Sequence, residues 1–577
     1  MKPELNPEGA SADALLSRDP GELSSAEFLA LLGRKNIRLQ ARDGQLTVNA
    51  PAGLLDDGLR AELRRRKAEL LTLVGTPKEV SPRPPLLPAQ RSGRIPMTAS
   101  QQGMWLIDHF EPGNAAYNIP EAFLLSSTVD LEILQRSVDL LLARHEILRT
   151  GFHEEDGELY QAIAGETHAE VGFTDLGSLT ETEAAARCRA LIREHAQRPF
   201  DLRIPPLARF HVFRVRADRD VLFVNVHHII ADLQALFILR EELMVCYRAF
   251  AAKVTPDLPA LPLQYADYAV WAEEQLRGGR MDGQIQYWRE KLAGLPPFLE
   301  LPVSGPYPEK RSSAGAKAAF AVPSAVRERL SRVGRECGAT PFMTFLAAFA
   351  VLIARFSGQH DFCIGSPVTQ RTQAETQRMI GLFMNMAAFR VQIADDDSFR
   401  DVVRQVRATA LEAYEQRDVP FQTLVRALRF NRRSPRSPIF QVMFGFEPAR
   451  AADPGLVQFD SAPGTARYDL SLLLIESADG GINGDLEYRT DIFKEAEAAA
   501  LAARFVELLE DVQDDPDRAG IARPLADGMR AVAPESSAVA EATASPASSP
   551  APSPASRPTL LGRLSKAFSA QPGKQKR

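Results

Sequence analysis

Two proline-rich stretches limit how much of this 577-residue chain can fold as one body. Pro77, Pro82, Pro84, Pro85 and Pro88 crowd residues 75–94. Each ring fixes φ and removes an N–H donor, so an extended, stiff linker is expected there. From about Pro534 the chain turns to Ala, Ser and Pro, too poor in large apolar groups to offset its own entropy. A flexible N-terminus is therefore expected over 1–22 and a disordered tail over 524–577. The tail's end spaces Leu560, Leu561, Leu564 and Phe568 as one helix face, which fits either an inert extension or a short docking helix that folds on a partner. Between linker and tail, helical and strand patterns alternate without an internal repeat, predicting an α/β body of two comparable lobes, 95–275 and 276–523.

Residues 23–74 read as a small separate unit. Ser24-Ser25 can cap a helix whose Phe28, Leu31 and Leu32 share a face. Ile37–Gln40 and Gln45–Val48 then alternate apolar and polar residues around Arg42-Asp43-Gly44, which predicts a β-hairpin, and a second helix over Leu59–Leu73 closes the unit. Arg34, Lys35, Arg38, Arg42, Arg64 and Arg65 make it locally basic. That pattern is either a solvated face or an acceptor for an acidic peptide added as a strand to the hairpin edge.

Charge excludes some partners. Lys and Arg total 68 against 74 Asp and Glu, a net charge of −6, which gives no global basic field for nucleic acid. Cys188, Cys246, Cys337 and Cys363 form no C-x-x-C pair and have no histidine cluster beside them, so neither a metal site nor a disulfide framework is signalled. The polar N-terminus lacks a signal peptide's apolar run and no long apolar span occurs, so a cytoplasmic monomer without a membrane partner is expected.

Within the body, helices are predicted at 131–144, 180–196, 236–250, 324–337, 341–356 and 398–415, and strands at 209–215, 220–226, 361–366 and 470–476. The strand at 220–226 runs into His227-His228-Ile229-Ile230-Ala231-Asp232, and a helix follows. A neutral imidazole is well suited to take a proton from an attacking amine or hydroxyl near pH 7 and return it to a leaving thiolate, and His228 is the candidate. His227 reads as its structural neighbour. Asp232 reads as a carboxylate that fixes geometry through an ion pair, with Arg149 and Arg371 as candidate partners. No G-x-S-x-G nucleophile is present, so direct transfer without a covalent enzyme intermediate is preferred.

The run 227–232 resembles the H-H-x-x-x-D-G signature of nonribosomal peptide synthetase condensation domains. Companion motifs follow in order: Thr98–Trp105, Arg144–Thr150, Tyr265–Trp271, Ile364–Val368 with Ile380–Asn385, Asp418–Phe421 and Ser437–Phe444. The resemblance covers roughly 95–520. It implies two chloramphenicol-acetyltransferase-like lobes in a V-shaped pseudo-dimer, with the histidines midway along a tunnel lined by Leu233, Ser366, Asn385 and Gln441. The small unit resembles TubC-type β-hairpin docking domains, which receive the C-terminal peptide of an upstream acyl or peptidyl carrier protein. No bound cofactor is implied: the acyl group arrives on the phosphopantetheine arm of a carrier protein, and the acceptor is a second carrier or a free small-molecule nucleophile. With no adenylation or carrier domain recognised, the reading is a stand-alone amide- or ester-forming acyltransferase, with chain release as one outcome.

Two positions depart from the pattern: Leu233 replaces the signature glycine, and Gly103 stands where the opening motif usually has arginine. The first is expected to reshape the tunnel and points away from a standard aminoacyl donor. An epimerase-type relative and a catalytically silent scaffold that recruits carriers remain as alternatives. Heterocyclisation is disfavoured, because the histidines stand where those relatives carry a D-x-x-x-x-D pattern.

Overall fold

A computed structural model of the protein describes parts of 23–70, and 84–521 apart from 92, 280, 304–306, 429–435, 450–455 and 460–463. The expectations for 1–22, for most of the proline-rich linker and for the tail at 524–577 lie outside the described residues, as do Arg34, Lys35 and the side chains of Arg38 and Arg42. The chain divides into two compact units between Pro85 and Leu86.

In the first unit, strands β1 (Arg38–Arg42) and β2 (Gln45–Asn49) pair antiparallel with Arg42 opposite Gln45. The helix Asp57–Arg65 follows. Phe28, Leu31 and Leu32 are helical and pack with Leu23, Ile37, Leu59, Leu63 and Leu70 into a small core. The basic run on the closing helix is only partly available to a partner. Arg66 is buried, with its guanidinium 5.1 Å from the Phe28 ring centroid and bonded to the Leu23 carbonyl. Arg65 is tied to Glu62 through Nε at 3.0 Å and Nη2 at 2.7 Å, while Arg64 is exposed.

The second unit contains three sheets. Its strands are β3 (Ile95–Pro96), β4 (Asn118–Leu125), β5 (Thr150–Glu155), β6 (Glu158–Ile163), β7 (Val171–Asp175), β8 (Ala208–Arg216), β9 (Arg219–His227), β10 (Gly315–Val322), β11 (Asp361–Thr369), β12 (Met384–Gln392), β13 (Val442–Glu447), β14 (Leu456–Gln458), β15 (Leu470–Glu476) and β16 (Ile482–Arg489). They form a five-stranded sheet in the order β14-β4-β9-β8-β7, a six-stranded sheet in the order β10-β16-β15-β13-β11-β12, and a small sheet β3-β6-β5. The ten elements predicted in this body all form, with ends differing by a few residues.

Each large sheet has its own core. The helix Pro341–Ser357 is the spine of the second: Thr340 caps its start, proline opens its first turn, and Gly358, at φ +71°, ends it in the left-handed region that glycine tolerates. Met343 to Ala354 are buried without a break. This explains its continuous apolar run, and no single helix among the described residues is long and apolar enough to cross a membrane. The sequence division between lobes is not kept in space. Met379, Ile380, Leu382, Phe383 and Leu456, from the second stretch of chain, pack into the core of the first, and β14 pairs with β4.

One contact between these stretches leaves no slack. A Cβ on Gly381 would lie 1.9 Å from the Tyr265 ring, whose hydroxyl donates to the Leu382 carbonyl at 2.7 Å. Gly381→Ala is therefore expected to lower stability by about 1–3 kcal/mol, the usual cost of overpacking, with Gly165→Ala, which meets nothing within 4 Å, inside about 0.5 kcal/mol. Paired denaturant titrations of the two variants check this.

Candidate active site

Strand β9 brings the histidines to the site. It is hydrogen-bonded on both sides, by β4 and β8, and is buried from Asp220 to His227, which fixes its end with His227 opposite Asn118. The next N–H, that of His228, donates to the Tyr117 carbonyl at 2.8 Å. Ile229, Ile230 and Ala231 then sink into the core at 0–1 % exposure and leave the turn little freedom. Gln101 Nε2 donates to the Ile229 carbonyl at 3.2 Å, and the Thr98–Gln101 capping box holds that glutamine in place.

Asp232 closes the turn with both carboxylate oxygens engaged. Oδ1 accepts the Ala235 N–H at 2.8 Å, capping the helix Leu233–Ala251, and also Arg371 Nη2 at 2.9 Å. Oδ2 accepts the Phe383 N–H at 3.0 Å, and the Asp232 N–H donates to the Gly381 carbonyl at 3.1 Å. Arg371 is itself buried, donating to the Met379 carbonyl at 2.8 Å with its guanidinium 4.2 Å from the Phe383 ring centroid. Asp232 thus joins the histidine turn to the 371–383 segment.

Of the two ion-pair candidates, the structure selects Arg371. Arg149 lies on the turn before β5, in the small sheet, where it donates to the Ala164 carbonyl and stands 3.9 Å from Glu146. It anchors the end of a hairpin and does not reach Asp232. The Arg144–Thr150 motif is also structural, since Arg144 and His145 both bind the buried Glu242, at 3.0 and 2.7 Å.

Both histidines are held neutral. Burial is the main cause of their depressed pKa values, about 3 for each, and the positive charge of Arg467 adds to it. His227 Nδ1 accepts the Ile229 N–H at 3.2 Å, so this ring is committed to the turn. His228 Nδ1 is buried, and the nearby backbone of His228 and Ala231 partly offsets the lowering of its pKa.

A cavity of about 1450 Å³ opens beside this turn. Gly103 and Ile107 line it from one helix, Tyr117 and Asn118 from the start of β4, Ala316 and Lys317 from β10, and Asn385, Phe421, Arg467 and Tyr468 from the second stretch. His228 stands behind that wall at 5 % exposure, bound to the cavity-lining Tyr117.

Of the four residues assigned to the tunnel, Asn385 alone lines this cavity, fixed by bonds to the Arg417 and Val419 carbonyls and the Phe421 N–H. Ser366 lines a separate pocket of about 220 Å³. Gln441 is spent on the Ser437 carbonyl and the Leu299 N–H. Leu233 opens the helix after Asp232 at 39 % exposure, outside the cavity wall, so it does not reshape the cavity as expected. The other departure does act there. A Cβ on Gly103 would lie 2.3 Å from Gln422 Nε2, so Gln422 occupies the space a longer side chain would need.

Gln101, Tyr265 and Gly381 carry weight that sequence reasoning did not give them individually, although each sits in a recognised motif. Tyr117 and Arg467 belong to no motif, and nothing in their sequence neighbourhoods marks them.

Comparison with known proteins fits this geometry. Residues 91–520 match the condensation domain family, and residues 26–74 match the TubC N-terminal docking domain. The protein belongs to the condensation-domain family of nonribosomal peptide assembly lines and carries a docking domain ahead of it. It is 36% identical over 430 residues to phosphinothricin tripeptide synthetase PhsC of Streptomyces viridochromogenes, covering 74% of this chain and 40% of that protein. It is 35% identical over 451 residues to the isonitrile lipopeptide synthase of Mycobacterium tuberculosis, covering 75% of this chain and 18% of that one. The chain thus spans less than half the length of these relatives. Among solved structures, the X-domain in the complex of the X-domain and OxyB from teicoplanin biosynthesis matches with a TM-score of 0.68 at 30% identity, covering 76% of this chain and 97% of that one. The mixed α/β lobes have the chloramphenicol-acetyltransferase-like fold of these neighbours.

The ion-pair assignment is directly testable. Arg371→Ala leaves Asp232 buried and unpaired and is expected to cost about 3–5 kcal/mol, whereas Arg149→Ala loses a carbonyl contact worth about 1 kcal/mol. Calorimetric midpoints of the two variants, ranked in that order, are the check.

Proposed function

We propose that this protein transfers a carrier-bound acyl thioester to an amine or hydroxyl acceptor, forming an amide or ester, with His228 as general base and then general acid. The observation that carries the reading is the placement of His228: a neutral imidazole at the end of β9, its backbone bound to the cavity-lining Tyr117, beside a cavity large enough for two substrates. Family membership supports the reaction class. The nucleophile attacks the thioester carbonyl as its proton passes to His228, and collapse of the tetrahedral species expels the thiolate, which takes that proton back. Asp232 and His227 position the base without touching substrate.

The acyl group arrives on a phosphopantetheine arm, and the docking unit receives the carrier's C-terminal peptide. The second acceptor class, a free small nucleophile, enters the same cavity. A scaffold role is the rival reading, favoured by the likeness to an X-domain solved in complex with OxyB and by the position of His228 behind the cavity wall.

Intact mass spectrometry of an acyl-loaded carrier protein, incubated with carrier-bound and free amines and alcohols, separates the two. Acyl transfer lost by about 10²- to 10⁴-fold in His228→Ala is expected. An intact thioester with every acceptor favours the scaffold. Because the imidazole works as a base only when neutral, and protonates only as pH falls towards about 3, the pH profile of kcat/KM should show no acid limb near 6.5. A limb there contradicts the assignment of His228. Removing residues 1–74 should slow transfer from the cognate carrier and spare transfer from a small pantetheine thioester; equal loss with both donors refutes the docking role.

A further inference from the structure

We propose that Arg467 is the cation that stabilises the oxyanion formed on the thioester carbonyl during transfer. The inference rests on the acyl-transfer reading and adds a catalytic residue to it.

Arg467 lines the 1450 Å³ cavity and comes from the segment just before β15. Two contacts pin its side chain. Nε donates to the Ala116 carbonyl at 2.8 Å, and the guanidinium carbon lies 5.3 Å from the Tyr117 ring centroid. Tyr117 is the residue whose carbonyl accepts the His228 N–H, so Arg467 is fixed on the pair of residues that leads into the base. With Nε committed, the four terminal N–H groups meet no hydrogen-bond acceptor among the described residues. Arg467 is part of the cavity wall, and a cation acts more strongly in a site away from bulk solvent than in water.

One further observation agrees: Arg467 is the charged group that acts most strongly on His228, ahead of His227. Glu487 lines the same cavity; burial raises its carboxyl pKa, and the charge of Arg467 lowers it. A cation beside a catalytic base weakens the base and is therefore a poor arrangement for proton transfer alone. It becomes favourable if negative charge develops at the same place.

The balance is simple. The nucleophile's lone pair forms the new C–N or C–O bond, and the carbonyl π pair moves onto oxygen, where Arg467 donates to it. That pair then returns to re-form C=O as the C–S bond breaks and the thiolate takes the proton from His228.

The test compares Arg467→Met and Arg467→Lys with the unmodified full-length protein, using the acyl-carrier and acceptor pair found in the mass-spectrometric screen. Thermal midpoints are measured alongside. The expected result is a kcat about 100-fold lower in Arg467→Met with KM within about twofold, and partial recovery in Arg467→Lys, which restores charge without the planar fork. A kcat within about threefold of wild type in a folded Arg467→Met protein, or a change in KM alone, overturns the inference while transfer that still depends on His228 keeps the broader reading intact. Full activity in His228→Ala overturns both.

Discussion

The carboxylate of Asp232 is the constraint on which the rest of the site depends. It stands where an apolar strand ends and a helix begins, and its two oxygens tie three segments together: Ala235 and Arg371 on one, Phe383 on the other. A buried ion pair adds little to net stability, because desolvation offsets most of the attraction. Its value here is geometric. With the helix start, the 371–383 segment and the turn locked together, His228 has one place to stand, and the lobes can enclose a cavity without the imidazole drifting from it.

That arrangement also explains why the recognised motifs are scattered through the chain. The Thr98–Gln101 capping box, Tyr265 and Gly381 come from distant parts of the sequence and meet around the histidine turn. Their residues are packing and hydrogen-bonding partners of the turn more than contacts for substrate. Other motif residues, among them Gly103, Asn385, Phe421 and Phe440, line the cavity, so the family signature records both how one short loop is held and what surrounds it.

The sequence made legible what depends on local pattern. Apolar periodicity located the helices and strands of the body, and the double histidine before an aspartate marked the site. What it could not reveal depends on folding distance. Arg149 and Arg371 were equivalent as sequence, and only the placement of Arg149 on the turn before β5, bonded to the Ala164 carbonyl, separates them. Leu233 looked like a tunnel residue because of its neighbours in the chain, yet a helix start turns it outwards. Arg467 and Tyr117 meet across 350 positions of sequence and carry no motif, so their pairing emerges only once β14 pairs with β4 and the segment before β15 meets Ala116 and Tyr117. The same crossing is why a lobe boundary drawn between residues 275 and 276 misses that the first core borrows Met379 to Phe383.

The measurement that tests this account most directly is a double-mutant cycle of Asp232→Asn and Arg371→Met, read on acyl-transfer rate and on stability. The account predicts strong non-additivity in both: each single variant loses most of the transfer rate, and the double variant is little worse than either, because one joint has been broken once. Additive effects, or single variants that transfer at the wild-type rate, would show that the histidine turn keeps its geometry without this pair and would contradict the account.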